Sequence, residues 1–154
     1  MKKISAILML ILISIAAYSI CRFTDNGDGT VKDNASGLIW QKCSMGMTYS
    51  SGSCNDTATE GTWKVSLAYC AGLTLAGKSW RLPNYNELRS ILDTSKYNPA
   101  IHKGIFPKTV SSQYWTSSTH YASYGSAHMI DFTAGEMSYG GKAAENYVRC
   151  VTGP

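Results

Sequence analysis

Five cysteines follow a short apolar N-terminal segment in this chain of 154 residues, and they constrain its fold more than any other feature. An exported chain enters an oxidising compartment, where cysteines pair. The four cysteines beyond residue 40 allow three pairings. Closeness in sequence favours Cys43 with Cys54, which leaves Cys70 with Cys150. Chain-entropy theory gives about 3 kcal/mol for the short loop and about 4 to 5 kcal/mol for a loop of about 80 residues.

The alternative use of these cysteines is redox or metal chemistry. No Cys-x-x-Cys motif occurs in the sequence, and such motifs carry most of that chemistry. Structural disulfides are therefore the stronger interpretation.

The N-terminus has the pattern of a cleavable signal peptide. Lys2 and Lys3 precede an apolar run over residues 4–17, and Ala17-Tyr18-Ser19 offers small residues at both specificity positions of a cleavage site. An uncleaved membrane anchor is the alternative, but a spanning helix usually needs about 20 apolar residues. We predict a signal peptide over residues 1–19, a domain over residues 20–154, and a secreted or cell-envelope protein, at the outer surface or in the periplasm.

Cys21 is the second residue after the predicted cleavage site. Lipid attachment there would anchor the protein, and this is the only membrane contact that we predict. Lipoprotein signals place a small residue before the cysteine, and Ile20 does not fit that pattern. A plain exposed thiol and an intermolecular disulfide are the alternatives.

Charge gives no reason to expect nucleic acid as a partner. The full chain has 14 Lys and Arg against 10 Asp and Glu, a net charge of +4. Loss of Lys2 and Lys3 with the signal lowers this to +2. Nucleic-acid binding needs clustered basic residues on a strongly basic surface.

Residues 22–40 predict a β-hairpin with dense turn chemistry. Asp25-Asn26-Gly27-Asp28-Gly29 forms one turn, and residues 33–37 form a second. The acidic turn has a superficial likeness to a calcium loop, but an EF-hand loop ends in Glu at its twelfth position, where Ser36 stands here. The hairpin turn is the favoured interpretation. Beyond it, residues 42–61 are small and polar and predict a surface loop held by Cys43 and Cys54.

Capping residues and apolar spacing predict two helices. Thr62 is the N-cap and Gly72 the end of the first, whose buried face consists of Trp63, Leu67, Cys70 and Ala71. Asn84 caps the second, with Glu87 completing a capping box. Its apolar face consists of Tyr85, Leu88, Ile91 and Leu92.

The remainder of the chain predicts a long connection and then strands. Residues 93–113 show no period, and a loop of that length is uncommon unless it has a function or a packed structure of its own. Strands are predicted over residues 114–118, 127–132, 137–139 and 146–151. In the last of these, Val148 and Cys150 share one face. The fold class is α+β.

Four ordered motifs resemble the Lcl C-terminal domain family. They are residues 23–41, Trp80-Arg81-Leu82-Pro83-Asn84 with Glu87-Leu88, residues 114–118, and Val148-Arg149-Cys150-Val151. The resemblance implies a C-type-lectin-like fold, with two helices packed on a small twisted antiparallel sheet, long loops and two disulfides. A disulfide from a helix to the last strand is a hallmark of that fold, which agrees with Cys70–Cys150. It also implies a surface or secreted protein that adheres to host polysaccharide or matrix.

Residue chemistry favours binding over catalysis, without a cofactor. The calcium-dependent sugar tripeptides Glu-Pro-Asn and Gln-Pro-Asp are absent. The histidines His102, His120 and His128 lack the spacing of metal ligands, and no Gly-x-Ser-x-Gly elbow occurs. Sulfatase-modifying enzymes share the implied fold, but they need a reactive cysteine pair late in the chain, where only Cys150 stands. We therefore expect no enzyme.

Tyrosines near the late loops are the candidate ligand-binding residues, because tyrosine offers a large contact area at low entropic cost. The predicted site consists of His120, Tyr121, Tyr124, Tyr139, Lys142 and Asn146. The alternative is that these tyrosines merely fill half-buried sheet positions. The first hypothesis is an exported, non-catalytic module that recognises host glycan or extracellular matrix protein. The second is a structural envelope protein or self-associating partner subunit, and a sulfatase-modifying-type enzyme is the weakest.

Overall fold

The computed structural model describes residues 21–154, which contain three antiparallel sheets, two α-helices and a short 3-10 helix at Leu75–Gly77. The predicted signal peptide lies outside the described residues. The α+β class is confirmed. The strands are β1 (Phe23–Asp25), β2 (Thr30–Asp33), β3 (Ile39–Gln41), β4 (Thr48–Ser50), β5 (Ser53–Asn55), β6 (Gln113–His120), β7 (Ser123–Asp131), β8 (Glu136–Gly141) and β9 (Val151–Thr152), and the helices are α1 (Trp63–Gly72) and α2 (Tyr85–Ser90).

The first sheet joins the two ends of the domain in the order β1-β2-β3-β9. Trp40 at its centre pairs with Val31 on one side and Val151 on the other, and all three side chains are fully buried. The predicted hairpin is confirmed. Its first turn is stabilised by Asp28, whose carboxylate accepts the Thr30 N–H at 3.0 Å, and by Gly27, whose φ of +76° suits glycine.

Both helices begin at the predicted caps. The Thr62 hydroxyl accepts the Val65 N–H, and Asn84 and Glu87 form the full capping box. The assignment of Ala71 to the buried face of α1 is wrong, because Ala71 is exposed. The buried stripe is centred instead on Ser66 and Cys70, four residues apart, and a residue directly after Cys70 turns towards solvent.

Residues 42–61 are more ordered than the predicted surface loop. They contain a two-stranded hairpin of β4 and β5, in which Tyr49 pairs with Cys54. Residues 42–45 are buried. The Met45 N–H donates to the Val148 carbonyl at 3.0 Å, and this bond holds the start of the segment inside the domain.

The predicted final strand is also corrected, since only Val151–Thr152 is a strand. The residues before it bond to several elements in turn. Asn146 exchanges backbone hydrogen bonds with Gly61, Tyr147 bonds to β6, and the Cys150 carbonyl accepts the Gln41 N–H. A strand requires successive pairs on one neighbour, which this segment lacks.

Both predicted disulfides are confirmed, with Cα atoms 5.5 Å apart in Cys43–Cys54 and in Cys70–Cys150. The sulfurs of Cys70 and Cys150 are buried in a core cluster with Trp80, Trp115 and Val148. A second cluster packs α2 and residues 93–113 against the first sheet. That long segment has a packed structure of its own, because its Ala100, Ile101 and Phe106 are buried.

Within residues 21–154, no helix combines the length and the apolar character needed to cross a bilayer.

Candidate functional site

Exposed tyrosines stand at one end of the sheet formed by β6, β7 and β8. His120 pairs with Ser123 at the end of the β6–β7 hairpin, so Tyr121 lies in its tight turn. Tyr121 is 88% exposed and Tyr124, on β7, is 89% exposed. Tyr139 on β8 is 62% exposed. These side chains are therefore not the half-buried sheet fillers of the alternative interpretation.

His120 joins two of these tyrosines into a stack. Its ring lies 4.3 Å from the ring of Tyr139 and 22° from parallel, and 4.8 Å from the ring of Tyr121. His128 supports the stack from below, with ring centroids 5.1 Å apart, and Tyr85 of α2 lies behind His128 at 5.7 Å. We call His120, Tyr121 and Tyr139 the aromatic surface.

Strand register explains why these rings meet. His128 pairs with Tyr139 across β7 and β8, and directly paired residues point to the same face of a sheet. Met137 lies two residues before Tyr139, hence on that face as well, and is 61% exposed. Sequence reasoning missed Met137, His128 and Tyr85. The alternation of Met137 and Tyr139 along β8 was the signal that could have found Met137.

Lys142 lies on the opposite face of the same sheet. Its ammonium lies 4.0 Å from the centroid of the Trp63 ring and donates to the Thr119 hydroxyl at 3.0 Å. Thr119 pairs with Ala127, whereas His120 stacks on His128. Because consecutive strand residues point to opposite faces, the structure separates Lys142 from the aromatic surface.

The other two predicted residues also differ in their placement. Asn146 is only 8% exposed, and its backbone is bonded to Gly61. Tyr124 lies on the same hairpin as the aromatic surface, but its ring contacts no other ring among the described residues. Three of the six predicted residues thus come together, one is a neighbour, and Lys142 and Asn146 lie elsewhere.

Side chains that could hold a metal do not converge in residues 21–154, where no three His, Cys, Asp or Glu form a group. The carboxylates of the acidic turn are used by the turn itself. Asp25 accepts the Gly27 N–H and pairs with Lys42. Burial acts to raise the pKa of Asp25, but hydrogen bonds from Lys42 and Gly27 more than offset it and hold the pKa below its ordinary value.

A separate groove of about 640 Å³ lies beside the start of the described chain. Its apolar wall consists of Phe23, Ile91, Leu92 and Ile105. Cys21, an exposed free thiol, stands at its edge.

The family model of the Lcl C-terminal domain matches residues 29–152, which is most of the chain. The chain belongs to the Lcl C-terminal domain family. No curated protein matches the sequence. The matched part of this Lcl C-terminal domain contains the aromatic surface, both disulfides and both helices, so family membership covers the candidate site as well as the fold.

Proposed function

We propose that this Lcl C-terminal domain is an exported, non-catalytic recognition module that binds host glycan or extracellular matrix through its aromatic surface. The observation that carries the proposal is the stack of Tyr139 on His120 at 4.3 Å, with Tyr121 packed beside it and largely exposed. A contiguous group of exposed aromatic side chains is typical of an interaction surface.

The stack favours binding because it fixes rings before a ligand arrives. Tyrosine brings a large amphipathic contact area with few rotatable bonds. Packing against the ring of His120, which in turn contacts His128, removes part of the remaining freedom of Tyr139, so less ordering entropy is lost on binding. Sugar rings have apolar faces that suit flat aromatic side chains, and tyrosine hydroxyls supply polar contacts at the rim.

The cysteine arrangement supports the non-catalytic part of the proposal. Cys150, the late cysteine of the chain, is bonded to Cys70 and fully buried. A sulfatase-modifying mechanism needs reactive thiols, and this sulfur is occupied. The bond also supports a C-type-lectin-like arrangement, as does the sheet that contains both β1 and β9.

Export is the second part of the proposal, and its support is the N-terminal signal pattern together with the two disulfides. The exposed thiol of Cys21 is available for a lipid anchor. Mass spectrometry of the protein purified from cells tests both points. An N-terminus at Met1 would contradict cleavage of the signal peptide, and an unmodified Cys21 would contradict the anchor.

Binding is tested on an array of glycans and matrix proteins. The double variant Tyr121→Ala/Tyr139→Ala should lose at least about ten-fold in affinity for any ligand found, because hot-spot tyrosines contribute more than about 1 to 2 kcal/mol each. Tyr97→Ala is the matched control, since Tyr97 is 71% exposed and lines a small pocket with Pro99 and His102, apart from the aromatic surface. The single variant Tyr124→Ala decides whether Tyr124 belongs to the site.

All variants should keep both disulfides and melt within a few degrees of the wild type. Ligand binding that survives the double variant, or that Tyr97→Ala removes equally, would place the site elsewhere. An array without any bound glycan or matrix protein would contradict the proposed ligand class.

A further inference from the structure

A cleft of about 320 Å³ lies between the β4–β5 hairpin and the end of α1. It shares no residue with the aromatic surface. Its volume is at the lower end of the range of ligand sites, so the cleft suits one small molecule. Within the described part of the chain no charged side chain lines it, which favours a neutral ligand.

The two disulfides hold the two walls of the cleft. On the hairpin side, Cys43 lines the cleft and is bonded to Cys54, which pairs with Tyr49 across the two strands. On the helix side, Tyr69 lines the cleft and directly precedes Cys70 of the second disulfide. Walls that are fixed before a ligand arrives lose less ordering entropy when it binds.

Two further contacts position the Tyr49 ring on the hairpin wall. The Lys42 ammonium lies 5.2 Å from the centroid of the ring, and Asp25 pairs with that ammonium. Gly29 lies against the same side chain, and a Cβ there would lie 3.1 Å from Tyr49. Glycine at this position therefore lets the ring approach the acidic turn, and the aromatic wall of the cleft depends on it.

A relay of hydrogen bonds directs one donor into the cleft. The Cys150 N–H donates to the side-chain oxygen of Gln41 at 3.1 Å, which fixes the orientation of the Gln41 amide. The Gln41 Nε2 then donates to the Tyr69 hydroxyl oxygen at 2.8 Å. Because this oxygen accepts from Gln41, its own proton points away from Gln41. No acceptor for that proton occurs in residues 21–154, and Tyr69 lines the cleft.

The donors of the cleft are neutral hydroxyls. Burial raises the pKa of Tyr69, while the hydrogen bond from Gln41 opposes that shift, so the hydroxyl keeps its proton at physiological pH. Thr74 adds a second hydroxyl, because its side chain forms no capping bond at the start of the 3-10 helix. The apolar side chains of Leu73 and Leu75 line the cleft beside it.

We propose that this cleft binds one neutral pyranose ring. The Tyr69 hydroxyl donates to a sugar oxygen, Thr74 bonds to a sugar hydroxyl, and the apolar face of the sugar lies against the Tyr49 ring. An anion would meet no cation among the lining side chains, and a purely apolar ligand would leave the Tyr69 proton unpaired. The site goes beyond the proposed function, which depends on the aromatic surface.

A titration followed by NMR tests the cleft directly. Glucose, galactose, mannose, fucose and N-acetylglucosamine are added in turn to the oxidised protein, and the backbone amide shifts are recorded. We expect at least one of them to bind with a dissociation constant of about 1 to 10 mM, the range that so small a ligand allows. The amides of residues 47–49 and 69–75 should shift, and those of the aromatic surface should not.

Binding this weak is lost in the washing steps of an array, because the complex dissociates fast. The array therefore tests the aromatic surface, and the titration tests the cleft. Tyr121→Ala/Tyr139→Ala should bind the monosaccharide like the wild type, so the two sites can fail independently.

Two mild variants test the hydroxyls. Tyr69→Phe removes only the directed donor and should weaken binding about three- to ten-fold, with an unchanged disulfide map. Thr74→Val removes the second hydroxyl at an exposed position and should weaken binding about two- to five-fold. Tyr124→Phe, which removes an exposed hydroxyl on β7, is the matched control and should bind like the wild type.

The proposal would be overturned if none of the five sugars shifted an amide of the cleft at concentrations up to about 50 mM. Binding that both Tyr69→Phe and Thr74→Val leave unchanged, or that Tyr124→Phe weakens equally, would overturn it too. Shifts confined to the aromatic surface would contradict the cleft as a sugar site while supporting the proposed function.

Discussion

The guanidinium of Arg149 lies over the ring of Phe106, with 4.9 Å between Cζ and the ring centroid. The side chain is fully buried, and no carboxylate of residues 21–154 forms a salt bridge with it. It donates instead to the carbonyls of Gln41 and Lys42 and, at 2.8 Å, to the Thr109 hydroxyl. Burial lowers the pKa of Arg149, and Tyr114 acts against that shift. Arg149 thus connects three separate segments of the chain.

Replacing Arg149 should destabilise the fold strongly. Arg149→Lys keeps the charge, but an ammonium cannot donate hydrogen bonds to two carbonyls and a hydroxyl with the planar geometry of a guanidinium. Arg149→Met leaves all three acceptors without this donor. We expect each to lower the free energy of unfolding by about 3 kcal/mol or more in urea titrations. Lys32→Met, which removes an exposed cation on β2, should change it by less than about 0.5 kcal/mol. If Arg149→Lys unfolded at the same urea concentration as the wild type, the structural role of Arg149 would be contradicted.

Gly46 and Gly52 both have a positive φ, which favours glycine, but only at Gly46 would a side chain also clash with a neighbouring residue. Their φ values are +86° and +78°, so an alanine at either is strained by about 1 to 2 kcal/mol. A Cβ at Gly46 would also lie 2.8 Å from the backbone nitrogen of Thr59, whereas one at Gly52 meets no atom within 4 Å. Gly46→Ala should therefore cost about 3 kcal/mol or more and Gly52→Ala about 1 to 2 kcal/mol. Equal losses in thermal unfolding would show that the clash relaxes freely.

Glu87 should make stability depend on pH. Arg81 donates two hydrogen bonds of 2.7 Å to its carboxylate, which lower its pKa, while burial opposes the shift. The folded pKa lies below the ordinary value of 4.5. The stabilisation is therefore complete above that value and is lost as pH falls through the folded pKa.

Glu87→Gln should accordingly be less stable than the wild type by about 1 to 2 kcal/mol near neutral pH, since it loses the capping carboxylate and the ion pair. The difference should shrink in acid. Urea unfolding at several pH values measures it, with Glu136→Gln as the control at an exposed glutamate. If the free energies of unfolding of Glu87→Gln and of the wild type changed with pH in parallel, the lowered pKa of Glu87 would be contradicted.

Local chemistry explains which sequence predictions succeeded. The Asn84–Glu87 capping box, the Thr62 cap and the acidic turn depend on residues within five positions of one another, and all are present in the structure. The two disulfides were also predicted, because four cysteines leave few pairings. The exposure of the late tyrosines agrees with the prediction, but β6 and β7 extend further than predicted, so His120 and Tyr124 lie on strands and not in a loop.

The sequence predictions that are wrong concern residues whose placement depends on long-range contacts. Ala71 is exposed because the position of the core relative to α1 decides which stripe is buried. Residues 146–150 are not a strand because their partners belong to several distant segments. Asn146 is buried for the same reason, since its backbone bonds to Gly61, 85 positions earlier.

By itself, the sequence determined the α+β class, the family, the helix caps, the turns and the disulfides. The caps and turns depend on residue types a few positions apart, and the disulfides depend on only four cysteines. Only the tertiary structure decided which predicted site residues meet. Pairing of His128 with Tyr139 brings His120 and Tyr121 into one aromatic surface, while the pleat places Lys142 on the opposite face. Strand register is a contact between distant residues, and a shift of one position would exchange these faces.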